Sequence, residues 1–93
     1  MYQVAITQVL QTTTNTESFY IGQRQFVIET IETDMCGHLS WSCTVTDSGN
    51  VPVLVMDWDI EDALWVISEG SIVYTSRIQN PLLAARSSLR EYA

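Results

Sequence analysis

The segment Asp57-Trp58-Asp59-Ile60-Glu61-Asp62 carries a carboxylate at most of its positions. Carboxylates crowded in this way can coordinate a cation, meet a basic surface, or simply solvate a turn. The cation reading meets a specific obstacle. An EF-hand loop opening at Asp57 requires glycine at its sixth position and glutamate at its twelfth, where this chain has Asp62 and Ser68. The Asp-x-Asp pair also occurs in metal-dependent nucleotide-sugar enzymes, but these need far more chain to hold a nucleotide. A solvated turn and a protein-facing acidic patch remain, with Trp58 as an aromatic anchor beside the charges.

Glu29, Glu32 and Asp34 form a second acidic group. Two-residue steps along a strand measure about 6.6–6.8 Å, close to the spacing of phosphates along a nucleic-acid strand. A rigid sheet bearing carboxylates at that interval presents a charge row to Lys and Arg side chains meant for phosphate.

Cys36, His38 and Cys43 are the candidates for metal or thiol chemistry. They supply at most three ligands, and a closed structural zinc site needs four. Cys43 alternates with Leu39, Trp41 and Val45, which predicts a core thiol; Cys36 falls in a turn, Asp34-Met35-Cys36-Gly37. His38 shares a strand face with Ser40 and Ser42, but no orienting acid or oxyanion-binding glycine turn accompanies them. No Gly-rich phosphate loop occurs. The expectation is a protein with no catalytic residue, no metal and no cofactor.

Charge points the other way from nucleic acid. The chain contains no lysine, its four basic residues are Arg24, Arg77, Arg86 and Arg90, and the formal net charge is −7. Between Arg24 and Arg77 every ionised side chain is acidic at neutral pH. Such a field reaches about 8 Å at physiological salt; it repels nucleic acid and anionic membrane and attracts basic protein surfaces. The expected partner is a basic, nucleic-acid-binding protein, met by Asp57, Trp58, Asp59, Glu61, Asp62, Glu29, Glu32 and Asp34. The rival expectation is a structural module that forms homo-oligomers or serves as a minor virion or accessory component.

These residues must be positioned by strands. Ninety-three residues with 46% hydrophobic content predict one domain with a single core. Tyr2 to Leu10 alternates as a first strand, and Gln11 to Ser18, without an apolar residue, reads as an exposed loop. Arg24 to Thr33 predicts a second strand, either bulged near Glu29 or partly covered on both faces. Leu39, Trp41, Cys43 and Val45 mark a third, joined through Asp47-Ser48-Gly49-Asn50 to a fourth over Val51 to Trp58, with Pro52 near its start. Asp59 to Gly70 fits either a helix capped by Asp59 or a hairpin about Glu69-Gly70. The β-branched and aromatic residues on both sides of that dipeptide favour the hairpin. Asn80 and Pro81 predict the cap and first position of a C-terminal helix, with Leu82, Leu83, Ala85, Leu89 and Tyr92 as its apolar stripe. Of its arginines, Arg86 or Arg90 is expected to offset the crowded carboxylates; the alternative is a head-to-tail contact of this helix with the acidic face of another copy.

The fold class is therefore α+β, mainly β: a small antiparallel sheet or half-barrel of about five or six strands with one C-terminal helix. The expected core is Trp41, Val45, Val53, Val55, Ile67, Ile72 and Tyr74. No basic n-region, no apolar h-region and no membrane-spanning run is visible, and two cysteines make no disulfide framework. A cytoplasmic setting, the host's if the protein is viral, is the expectation. In being short, lysine-free and acidic, the chain resembles the small inhibitors that phages direct against host defence, such as anti-CRISPR proteins and DNA mimics. The likeness is one of composition.

Overall fold

A computed structural model describes residues 10–90. Six strands run as an antiparallel meander in chain order: β1 (Leu10–Ile21), β2 (Arg24–Met35), β3 (His38–Asp47), β4 (Pro52–Asp59), β5 (Leu64–Glu69) and β6 (Ile72–Ser76). One helix, α1 (Pro81–Ser88), follows. The architecture is the mainly β, α+β class expected, with β1 and β6 as the two edges of the sheet. The strand anticipated over Tyr2 to Leu10 lies outside the described residues except for Leu10, and so does Tyr92.

The turns follow from their residues. Between Met35 and His38 the loop is Cys36-Gly37, with φ of 56° and 87°; positive φ at both central positions is the type I′ requirement. Asp34 Oδ1 accepts the Gly37 N–H at 2.9 Å and holds this turn. At the β5–β6 hairpin, Glu69 pairs with Ile72 across Gly70-Ser71, and Gly70 has φ 61°. The hairpin reading of Asp59 to Gly70 is therefore the observed one. Asp47 Oδ1 accepts from the N–H groups of Gly49 and Val51 in the loop before β4.

The loop expectation needs correction. Gln11 to Ser18 is strand, not loop: β1 pairs with β2 without interruption from Leu10–Met35 to Ile21–Arg24. Apolar alternation reports burial rather than extended backbone. The Thr-rich part of this edge strand is exposed throughout, so it extends without a hydrophobic signature. Of the two alternatives for β2, there is no bulge near Glu29, and partial cover on both faces is what is observed. The irregularity falls between β3 and β4, where Val45 faces Leu54 and Thr46 faces Pro52, leaving Val53 extra. The mixed pattern of β2 arises because Phe26 and Ile28 point to the helix side while Val27 and Ile31, half-buried, point to the other.

The core lies on one face of the sheet. Phe19, Ile21, Phe26, Ile28, Cys43, Val45, Leu54, Met56, Trp65 and Ile67 pack against Ala84, Ala85 and Leu89. Each such side chain contributes roughly 1.5–3 kcal/mol by leaving water. Of the residues expected here, Val45 and Ile67 are buried, and Trp41, Val53 and Tyr74 pack at the margin. Val55 is 42% exposed because β4 turns it to the uncovered face, and Ile72 is 62% exposed because it sits on the edge strand β6.

Helix α1 is too short to persist alone in water, so packing and capping must hold it. Asn80 Oδ1 accepts the Leu83 N–H at 3.1 Å, with Pro81 opening the first turn. Small Ala84 and Ala85 let the helix approach the sheet closely, and Leu83, expected in the apolar stripe, is 55% exposed. Arg86 donates to the backbone carbonyl of Tyr20 at 3.2 Å, which ties the helix to β1. Arg77 likewise donates to a backbone carbonyl, that of Asp62 at 3.4 Å. The recorded side-chain bonds of Arg77 and Arg86 thus go to the chain's own carbonyls and not to carboxylates.

The two thiols differ as their positions dictate. Cys36 is exposed and Cys43 buried. Burial raises the pKa of Cys43; the hydrogen bond with Thr30 lowers it in part, and the charge of Asp57 adds to the rise. A thiol whose folded pKa lies above its unfolded value, about 8.5, stabilises the fold fully below that pH and loses the contribution as pH climbs towards the folded value. The denaturation midpoint is thus expected to hold steady near about pH 7 and to fall above about pH 9, less so in Cys43→Ala. Alkylation followed by mass spectrometry should modify Cys36 at once and Cys43 only as the chain unfolds.

Candidate protein-docking surface

Strand alternation sorts the acidic residues before any partner is considered. Asp57 and Asp59 project from β4 to the face opposite the helix, and Trp58, between them, projects to the helix side. The compact acidic-aromatic patch expected over residues 57–62 is therefore divided. Trp58 is half-buried and meets Trp65 edge-on, with ring centroids 5.1 Å apart and an interplanar angle of 68°. Glu61 and Asp62 lie in the exposed turn after β4, where Asp59 Oδ1 accepts their N–H groups at 3.0 and 3.2 Å. Asp59 is thereby fixed as a turn former, like Asp34 and Asp47.

The second acidic group divides in the same way. Glu29 faces away from the helix and is exposed, whereas Glu32 and Asp34 face the helix side. Glu32 Oε2 accepts the indole N–H of Trp41 at 2.8 Å. No continuous carboxylate row at strand spacing results, because parity alternates and because turns and an indole engage part of the set.

What the fold does assemble is a sheet face that the helix and the other described residues leave uncovered. Thr16, Glu29, Thr44, Val55, Ser68 and Val73 form one row straight across all six strands. Beside it runs a second row in which Ile31, Ser42, Asp57 and Val66 are neighbours on successive strands. Glu29 and Asp57 stand two strands apart in adjacent rows, roughly 12 Å between backbone positions from standard strand spacings. Around them lie hydroxyls and half-exposed valines. The face is mildly apolar, broad and acidic at its centre, a surface suited to protein contact. Sequence reasoning missed the valine contribution; the signal available was Val55 and Val66 alternating with core residues on adjacent strands.

For metal or catalytic chemistry the geometry provides little. Among the described residues no three His, Cys, Asp or Glu side chains are grouped to hold a metal ion. His38 is exposed at the start of β3 opposite Met35, with Ser40 and Ser42 following on its face. No helix among the described residues is long and apolar enough to cross a membrane.

The fold and this surface define a small antiparallel α+β domain with one sheet face covered by the helix and the other left open by the described residues. No protein-family model, curated protein or solved structure matches the chain.

Proposed function

We propose that the protein is an acidic binding module whose open sheet face occupies the basic, nucleic-acid-binding surface of a partner protein. The observation that carries this reading is the placement of Glu29 and Asp57 at the centre of a six-strand face left uncovered by the helix. Stacking two copies through this face would set like charges against each other and desolvate them, which is costly. A basic surface supplies the missing counter-charge, and the −7 net charge steers the encounter. Exposed Glu61 and Asp62 extend the acidic rim at one end. The composition that resembles phage inhibitors of host defence supports the same reading, with the protein acting as a blocker of phosphate-binding Arg and Lys rather than as a catalyst.

The test pairs the native chain with Glu29→Lys/Asp57→Lys. Capture from lysate at moderate salt should recover a nucleic-acid-binding protein with the native chain, and its binding to DNA or RNA should then be blocked. The double reversal is expected to weaken capture at least about tenfold while leaving the thermal midpoint within a few degrees. Equal capture by both chains, or capture of a protein whose nucleic-acid binding is undisturbed, sinks the proposal.

A second reading rests on the edge strand β6, where Ile72 and Val73 are each 62% exposed. A free edge with apolar residues can pair with an edge of another copy. Self-association insensitive to salt would favour this assembly role over the charge-steered one.

A further inference from the structure

On the helix side, away from Glu29 and Asp57, all three tryptophans converge on one cavity. Trp58 pairs with Trp65 across β4 and β5, and Trp41 and Trp58, each one residue past the terminal Ser42–Asp57 pair, line the same cavity. Glu32, opposite Trp41, continues this row onto β2. Together with Thr30, Gln79 and Pro81, the three indoles line a half-open cavity of about 210 Å³. The core row of Cys43, Met56 and Ile67 lies one step deeper, under the helix.

The geometry points to a binding site for a quaternary or trimethylated ammonium group. Aromatic walls attract a cation through the ring quadrupole, Trp most strongly. The polar atoms around the cavity select among cations. The N–H groups of Trp41 and Trp65 are already given to Glu32 Oε2 and to the Gln79 carbonyl, and the Thr30 hydroxyl lies 3.4 Å from Cys43 Sγ. Against the indole faces, a primary ammonium or guanidinium would find acceptors only at the Glu32 and Gln79 edge and would leave its other N–H donors unmatched, a desolvation cost. An alkylated ammonium has no such donors to lose.

Charge and size agree with that choice. The Glu32 carboxylate, hydrogen-bonded to one wall, adds negative potential at the site, and no arginine among the described residues lines it. The cavity volume of about 210 Å³ is smaller than the roughly 300–1,000 Å³ of sites for drug-sized ligands. The site goes beyond the docking face proposed above and uses the opposite side of the sheet.

Tryptophan fluorescence and calorimetry with the intact chain test it. The probes are choline, the neutral isostere in which carbon replaces its nitrogen, and a short peptide bearing either lysine or trimethyllysine. Choline is expected to bind about tenfold or more tightly than the isostere, and the trimethylated peptide likewise over the unmethylated one. Trp58→Leu should weaken choline binding by about tenfold. Because that change also alters packing, Glu32→Gln gives the independent reading: its amide oxygen can still accept the Trp41 N–H, yet the lost charge should weaken binding several-fold. If the trimethylated peptide binds more tightly than choline, the ligand is a modified protein side chain; if choline binds as tightly, it is a free small molecule. Equal binding of choline and its isostere, equal binding of the two peptides, or no binding of any probe overturns the assignment. None of these results bears on capture through Glu29 and Asp57.

Discussion

Replacing Phe26 with alanine will lower the unfolding free energy by about 3–5 kcal/mol, a large part of the roughly 5–15 kcal/mol that stabilises a domain. Phe26 is fully buried, stacks on Phe19 with centroids 5.7 Å apart, and has the Arg24 guanidinium 6.0 Å from its ring centroid. It belongs to the core shared by the first hairpin, the central strands and the helix. The void left by its ring cannot close, because the surrounding positions are held by strand pairing on both sides of β2. Urea denaturation followed by tryptophan fluorescence gives the measurement. A loss below about 1 kcal/mol would mean that the core relaxes freely around this site. Leu83→Ala is the contrast: at an exposed helical position it should change stability by no more than about 0.5 kcal/mol.

The second large effect is expected at Leu89, which is fully buried at the C-terminal cap of α1 and donates its backbone N–H to Ala85 O at 3.0 Å. Leu89→Ala should cost about 2–5 kcal/mol, and the loss should be uneven. Among the described residues, helix α1 is otherwise held by small contacts: Ala84, Ala85, the half-buried Leu82, the Asn80 cap and the Arg86–Tyr20 hydrogen bond. Amide hydrogen exchange should therefore quicken across residues 81–88 more than in β3, whose N–H groups are shared with strands on both sides. Uniform acceleration throughout the chain would contradict this account, since it would make the helix and sheet a single cooperative unit.

Most of the architecture was legible because its signals are local. Cys36-Gly37, Gly70 and Asn80-Pro81 each announce their turn or cap through the backbone geometry that those residue types accept. The extent of β1 was not legible, since its Thr-rich stretch gains its place from β2 rather than from a buried face of its own. The site was harder still. Reading Asp57 to Asp62 as one patch ignored the parity that sends Trp58 to the helix side and ends the strand at Asp59. The same parity separates Glu29 from Glu32 and Asp34. Meeting of the three tryptophans depends on the register of two ladders, and register is a property of paired strands that no single segment states.

Every strand here pairs only with its immediate neighbours in the chain, so the sheet can grow hairpin by hairpin without first closing a long loop. That is low contact order for an all-antiparallel sheet, and it favours rapid folding. The helix breaks the pattern: it returns to the first hairpin, where Arg86 reaches Tyr20 across 66 positions of sequence. The chain entropy of that closure is repaid only when Phe19, Ile21, Phe26 and Ile28 are already in place to receive Ala84, Ala85 and Leu89. The late step in folding is then the docking of the helix, and mutations in its buried face act chiefly on the rate at which the native protein opens rather than on the rate at which the sheet forms.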